Sequence, residues 1–532
     1  MKTKQIAGLL LFAALLPALL PEPVSGETWQ RRGSLKEVLP LIEQAVTATD
    51  TALLAAPMLG RPTDKSVTIN VVTSQPLIVY AEYGMTPGRY EFATEMADTR
   101  DRAEGETGEM AALELPIDGL DPGTRYYYRL MCRSAGEAEF HEAASGCFHT
   151  RRSRGSRFTF AIQADSHLNE VLKSRSLDKC SLYSRTLANV LSDEPDFLID
   201  MGDFAGIEWY TGGKVTSLDQ ALDRYLLQRL FLGRISPWVP FYLVLGNHEG
   251  EQGWRRESQG DNLEVLGALA RKALIPNPHP DGFYSGSTEE TECCGLRENY
   301  YAWEWGDALF VVIDPFWNTM RMPHLTGGFY EPSLDAWDWT LGKDQYDWLY
   351  ETLHNSSARW KFVFSHHITG GSRYSKGKFN PYGRGGITAA KYKVAQQPSF
   401  EWGGEDDSGD YVFDRKRPGW EHGPIHDMMA AEGVDIFFHG HDHAFVYESL
   451  DGVVYQLCPQ PANVLYGDGF YRDDLYRGTM VNNSGHLRVR VSPDSVRVDY
   501  VRAVLPADQP LQEDDRRVSN GDVSYSYTLR KP

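Results

Sequence analysis

Beyond its first twenty or so residues the 532-residue chain has no long apolar run, and a spanning helix needs roughly 20 consecutive apolar residues. A stable membrane span in the mature chain is not expected. Positive charge is also scarce: 53 Lys and Arg stand against 73 Asp and Glu, for a net charge of −20. That balance lacks the long-range attraction to phosphate backbones on which nonspecific nucleic-acid binding depends, so no nucleic-acid partner is expected. No Cys-x-x-Cys pair occurs, which argues against the common thiolate zinc sites. Self-similarity at roughly 20–50-residue spacing is missing too, which argues against repeat folds. What the chain does have is core material, 42% hydrophobic with 12% aromatic residues. Disorder is excluded, and the length suits one large or two ordinary cores of roughly 100–200 residues each.

At the N-terminus, Lys2 and Lys4 precede an apolar run from Ile6 to Leu20, broken by Pro21 and Pro23 and followed by Val24, Ser25 and Gly26. Residues 1–26 therefore read as a signal peptide, and the protein as secreted or periplasmic. Export permits disulfides among the six cysteines. Cys132 and Cys147 close successive strand-like runs and form the expected pair, while adjacent Cys293 and Cys294 read as structural.

Texture changes twice along the chain. Residues 27–62 read as an N-terminal helix over Leu35, Val38, Leu39, Ile42 and Val46, with a linker through Pro57; Pro40 disfavours the helix interior. Residues 63–150 carry short alternating runs, Val67-Ile69-Val71 and Leu77-Val79-Ala81 among them, and a turn from Gly119 into the aromatic run Tyr126-Tyr127-Tyr128. They predict a small all-β sandwich. From residue 156 to 532, buried-looking apolar runs alternate with helical segments such as Leu182 to Leu191 and Leu218 to Leu230, which predicts an α/β domain. Two long connections, Gly250 to Tyr300 and Gly370 to Gly419, are rich in Gly, Pro and aromatics. Connections of that length are usually functional or disordered.

Polar residues fall at the ends of the apolar runs. Phe158 to Ile162 leads into Asp165-Ser166-His167, Phe197 to Ile199 into Gly202-Asp203, and Tyr242 to Leu245 into Gly246-Asn247-His248-Glu249. Further on, Phe362 to Phe364 leads into His366-His367, and Ile436 to Phe438 into His439-Gly440-His441-Asp442-His443. Ligands of open α/β sheets bind outside the carboxyl ends of strands, so five such ends predict one shared site. An Asp, His and Asn cluster without Cys suits Zn, Mn or Fe, divalent or trivalent. Two ions about 3.5–4 Å apart, sharing a carboxylate and a bridging hydroxide, are the recurrent device for hydrolysing phosphate esters. Each motif alone is common; the ordered set is not.

That set, over about residues 156 to 505, resembles the calcineurin-like metallophosphoesterase superfamily. The preceding module resembles the fibronectin type III-like module of purple acid phosphatases. The resemblance implies a sandwich of two mixed β-sheets flanked by helices. It also implies one metal ion on Asp165, His167, Asp203 and His443, and a second on Asp203, Asn247, His366 and His441, with Asp203 as the bridge. His248 is then the proton donor or charge stabiliser at the leaving group. Purple members carry Asp-x-Gly and a metal-binding Tyr, where this chain has His167 and Gly206, so the resemblance is to a non-purple relative. His367, Lys378 and Arg384 are weaker candidates for binding substrate.

The expected activity is hydrolysis of a small phosphorylated substrate, most simply a phosphomonoester. A phosphodiesterase or nucleotidase is the enzymatic alternative, and a catalytically silent surface-binding protein is the alternative from another class.

Overall fold

A computed structural model describes residues 53–531, apart from 74, 101–110, 135, 169–175, 208–214, 252–262, 317–339, 369–371, 375–377, 381–384, 391–399, 407, 468–474 and 514–515. The signal peptide and the helical stretch from Leu35 to Val46 lie outside the described residues. Among those described, no helix is long and apolar enough to cross a membrane.

The N-terminal module is two antiparallel sheets. One joins β1 (Leu53–Gly60), β2 (Val67–Thr73) and β4 (Ala111–Ile117); the other is built on β3 (Leu77–Gly84), β5 (Arg125–Ser134) and β6 (His141–His149). Alternation places Ile69, Val71, Val79, Ala81, Tyr128 and Leu130 between them, all buried. Residues 53–60, assigned above to the linker, are thus a paired strand. Pro57 and two alanines hide its pattern, and burial against the larger α/β domain, where Ala55 and Met58 join the helical core, supplies the missing drive.

The expected Cys132–Cys147 bridge is corrected by the register. Cys132 stands opposite His141 and Cys147 opposite Tyr127, five positions along β5. At about 3.4 Å per residue that is roughly 17 Å, against the roughly 7 Å limit between Cα atoms for a disulfide. No disulfide joins any two of the six cysteines.

The larger α/β domain is a four-layer sandwich. Its first sheet runs β9 (Phe241–Leu243), β8 (Leu198–Asp200), β7 (Phe158–Gln163), β16 (Gly485–Val491), β17 (Ser495–Arg502) and β18 (Val523–Arg530), with β7, β8 and β9 parallel. The second is centred on β11 (Ala308–Val312), β12 (Trp360–Ser365), β13 (Ile436–His439) and β15 (Val453–Leu457), all parallel. Antiparallel β10 (Tyr301–Trp305) and β14 (Phe445–Leu450) flank them. Helices α1 (Ser176–Ser192), α2 (Leu218–Leu232) and α3 (Leu263–Leu274) cover the first sheet, and α4 (Lys343–Asn355) with α5 (Ile425–Ala431) covers the second. α3 lies inside the first long connection, where its Leu263, Leu266, Ala270 and Leu274 pack inward.

Between the sheets lies an aromatic core. Phe160 of β7 stands 5.1 Å from Phe310 of β11 and 5.6 Å from Phe197, edge-on and stacked respectively. Such pairs lock the two layers in one relative orientation, and that orientation brings their carboxyl ends together.

Candidate metal centre

Each candidate ligand follows a parallel strand end directly, and the backbone there is unusual. Ten described residues other than glycine have positive φ, and Asp165, His167, Asp203, His441 and His443 are five of them. Left-handed backbone is costly for L-residues and clusters at functional sites. Glycine makes the close approach possible: a Cβ on Gly202 would strike the Gly246 backbone, and one on Gly246 would strike the Asp203 backbone and carboxylate. The Gly202-Asp203 turn and the Gly246-Asn247 turn are therefore in direct backbone contact.

The side chains fall into two groups. Asp165, His167, Asp203 and His443 have donor atoms all within 4.8 Å of one another, and so do Asp203, His366 and His441. Asp203 belongs to both. Asn247 joins the second group through its Oδ1, 3.2 Å from His366 Nε2. Asp165 Oδ1 is buried without a hydrogen-bond donor and faces Nε2 of His443, His167 and His366 at 3.4, 3.7 and 3.9 Å. Asp203 Oδ2 faces His366, His167 and His248 at 3.3, 3.6 and 3.8 Å. Lone-pair donors gathered at these spacings around common points fit metal ions better than they fit each other.

The surroundings orient the donors. His366 Nδ1 lies 2.7 Å from the Met201 carbonyl, an arrangement that commits Nδ1–H to donation and leaves Nε2 for a ligand. Burial opposes charge at Asp203, but the imidazoles of His366 and His248 hold its carboxyl well below the usual range. Burial opposes charge at His366 as well, yet Asp203 raises it to about 9. Positive charge is therefore strongly favoured between these two residues, a demand a cation meets. Burial lowers His167 to about 4, which keeps it neutral, as a ligand must be.

His248 is a quarter exposed, more than any ligand candidate, and its backbone N–H donates to Asp203 Oδ1 at 2.8 Å. His367 is buried with its ring against Phe316 and His441, at 4.9 and 5.1 Å between centroids. Lys378 starts a short strand, Lys378–Asn380, but its side chain, like the whole of Arg384, lies outside the described residues.

A residue quoted above without a role proves central. Glu249 is fully buried, and its carboxylate accepts four backbone N–H groups: Asp203 at 3.0 Å, Phe204 at 2.7 Å, Ala205 at 3.0 Å and Gly246 at 2.5 Å. It fixes the turn that presents Asp203. Burial and the Asp203 charge push its carboxyl up to about 7 despite those donors. Its place at the end of Gly-Asn-His-Glu was the only sequence signal, because three of its four partners lie about 45 residues away.

The family model for calcineurin-like phosphoesterases matches residues 158–445, more than half of the chain. Among solved structures, PhoD is 14% identical over 91% of both chains with a TM-score of 0.58. Purple acid phosphatase PPD1 from seeds of yellow lupin, Lupinus luteus, is 14% identical over 90% of this chain and 74% of its own, with a TM-score of 0.53. At such identity both speak to the fold, including the N-terminal β module. No curated protein matches. On the family match and the paired Asp and His groups, the chain belongs to the calcineurin-like phosphoesterase family of metal-dependent hydrolases.

Proposed function

We propose that the protein is an exported phosphomonoesterase with a dinuclear metal centre. Asp165, His167, Asp203 and His443 hold one ion; Asp203, Asn247, His366 and His441 hold the other. The observation that carries this reading is the meeting of two donor groups at one shared carboxylate, Asp203. When bound, two such ions supply positive charge for the phosphate oxygens and hydroxide at neutral pH. Zn, Mn and Fe all suit the donor set, and Gly206 supplies no tyrosinate.

The chain's own residues do the rest. His248, anchored through its backbone on Asp203 and partly open to solvent, holds a proton at Nε2 and delivers it to the leaving oxygen as the P–O bond breaks. The alcohol departs neutral and phosphate remains. Glu249 and the Gly202 and Gly246 contacts hold Asp203 still through this change, which favours reaction by preorganisation. Lys378, Arg384 and His367 are the proposed contacts for the rest of the substrate. Residues 1–26 supply the export signal in this reading.

The test compares p-nitrophenyl phosphate, bis(p-nitrophenyl) phosphate and a nucleotide panel, using protein stripped with EDTA and reloaded with Mn or Zn. Turnover should vanish on stripping, return on reloading, and show kcat/KM at least tenfold higher for the monoester. Asp203→Ala should abolish it. Diester or nucleotide preference would replace the monoesterase reading, and metal uptake without any turnover would leave a silent binding protein.

A further inference from the structure

The Gly440-His441-Asp442-His443 turn holds two ligand candidates in backbone that side chains avoid, with φ of +74° at His441 and +57° at His443. Some of its support comes from the centre itself: His441 N–H donates to Asp165 Oδ2 at 2.9 Å, and Gly440 N–H to the His366 carbonyl at 2.8 Å. The remainder comes from residues that ligate nothing. Asp442, only 2% exposed, accepts on Oδ2 the Gly385 N–H at 2.8 Å and the Tyr476 hydroxyl at 2.5 Å. Asn483 Nδ2 donates to the His443 carbonyl at 2.7 Å.

Gly385 and Tyr476 lie about 90 residues apart in separate connections, and a second buried carboxylate ties those connections together. Glu448 of β14 accepts Ile387 N–H at 3.1 Å on one oxygen, and Arg477 and Gly478 N–H at 2.6 and 3.1 Å on the other. Thr388 Oγ1 donates to the Leu475 carbonyl. The two connections thus form one braced unit, and among the described residues it meets the ligand turn at the Asp442 carboxylate.

We infer that Asp442 and Tyr476 are positioning residues that hold the His441-Asp442-His443 turn in its metal-accepting form, so that ion affinity depends on two side chains outside the ligand set. This rests on the dinuclear reading above. Released from the brace, the turn relaxes toward unstrained backbone, and the imidazoles must be reordered each time an ion binds. Partners that orient ligands commonly contribute about 10–100-fold in metal affinity.

The experiment is calorimetric Mn titration of metal-free wild type, Tyr476→Phe, Asp442→Asn and Asp442→Ala, with circular dichroism on each. Tyr346→Phe is the control, since it deletes a hydroxyl bonded to the Gly423 carbonyl on the far helical layer. Expected are two ions per chain throughout, affinity weakened about tenfold in Tyr476→Phe and more in Asp442→Ala, with Asp442→Asn between. At saturating Mn, kcat should stay within a few-fold of wild type. Wild-type affinity in Tyr476→Phe, or an equal loss in Tyr346→Phe, overturns the inference. A wild type that takes up no ions overturns the dinuclear reading itself, a separate result. Should Asp442→Ala fail to fold, Tyr476→Phe decides.

Discussion

Glu249→Gln changes one atom and should dismantle the centre. The carboxylate now serves four N–H donors, two on each oxygen. Glutamine keeps one oxygen, so two backbone donors lose their acceptor and meet an NH2 group that also donates. Each buried donor left unsatisfied costs about 1–3 kcal/mol, giving about 2–6 kcal/mol for the pair, at least one of which lies on the strained turn at residues 203–205. Asp203 has φ of +53° there, so relief of the strain moves the one carboxylate both groups share. The assay is urea unfolding of metal-free protein, together with metal analysis after dialysis against micromolar Mn. The variant should unfold at least 2 kcal/mol more easily and retain fewer than two ions. Unfolding within about 0.5 kcal/mol of wild type, with two ions still held, would refute the assignment of Glu249 as the support of Asp203.

Other expectations follow from neighbouring features. Burial pushes the Glu298 carboxyl up from 4.5 to about 7 against the opposing charges of Lys272 and Arg271. A carboxyl raised on folding favours the native state below its unfolded pKa, and that advantage fades as pH rises through the folded value. Its contribution to stability should therefore fall by up to about 3 kcal/mol between pH 4.5 and 7, and Glu298→Gln should make the pH slope of urea unfolding shallower than in wild type across that range. Arg229 is buried on α2 and joins Asn70 of β2 to the Leu274 carbonyl at the end of α3. Arg229→Met leaves those acceptors buried and unpaired, so a loss of about 3–5 kcal/mol is expected, read as earlier urea unfolding. Cys132→Ser should leave mobility on non-reducing gels unchanged, whereas a shift toward a more extended species would restore the disulfide excluded by the hairpin register.

The strands were legible because a strand buried on both faces must be an uninterrupted apolar run, as at Phe158 to Ile162 and Ile436 to Phe438. The donor groups were legible for the complementary reason: Asp165, Asp203 and His441 interrupt the polarity pattern where such runs stop. Support roles were not legible. Glu249 acts on Phe204 and Ala205, Asp442 on Gly385, and Gln460 on the Asp165 carbonyl 295 positions away, and nothing local in a sequence records such pairings. Register failed for a similar reason, since β5 and β6 look alike at any offset and a bulge at Leu130 and Met131 shifts the pairing. β1 escaped because its burial comes from α2, a helix about 170 residues later.

The donors divide by layer. Asp165, His167, Asp203 and Asn247 extend from the first sheet, while His366, His441 and His443 extend from the second. Any cation seated between them is therefore a rivet through both halves of the sandwich, and mass action converts its affinity into resistance to unfolding. Stripping the ions should accordingly loosen the whole domain, so that protease sensitivity and heat tolerance become gauges of metal loading even where no substrate is known.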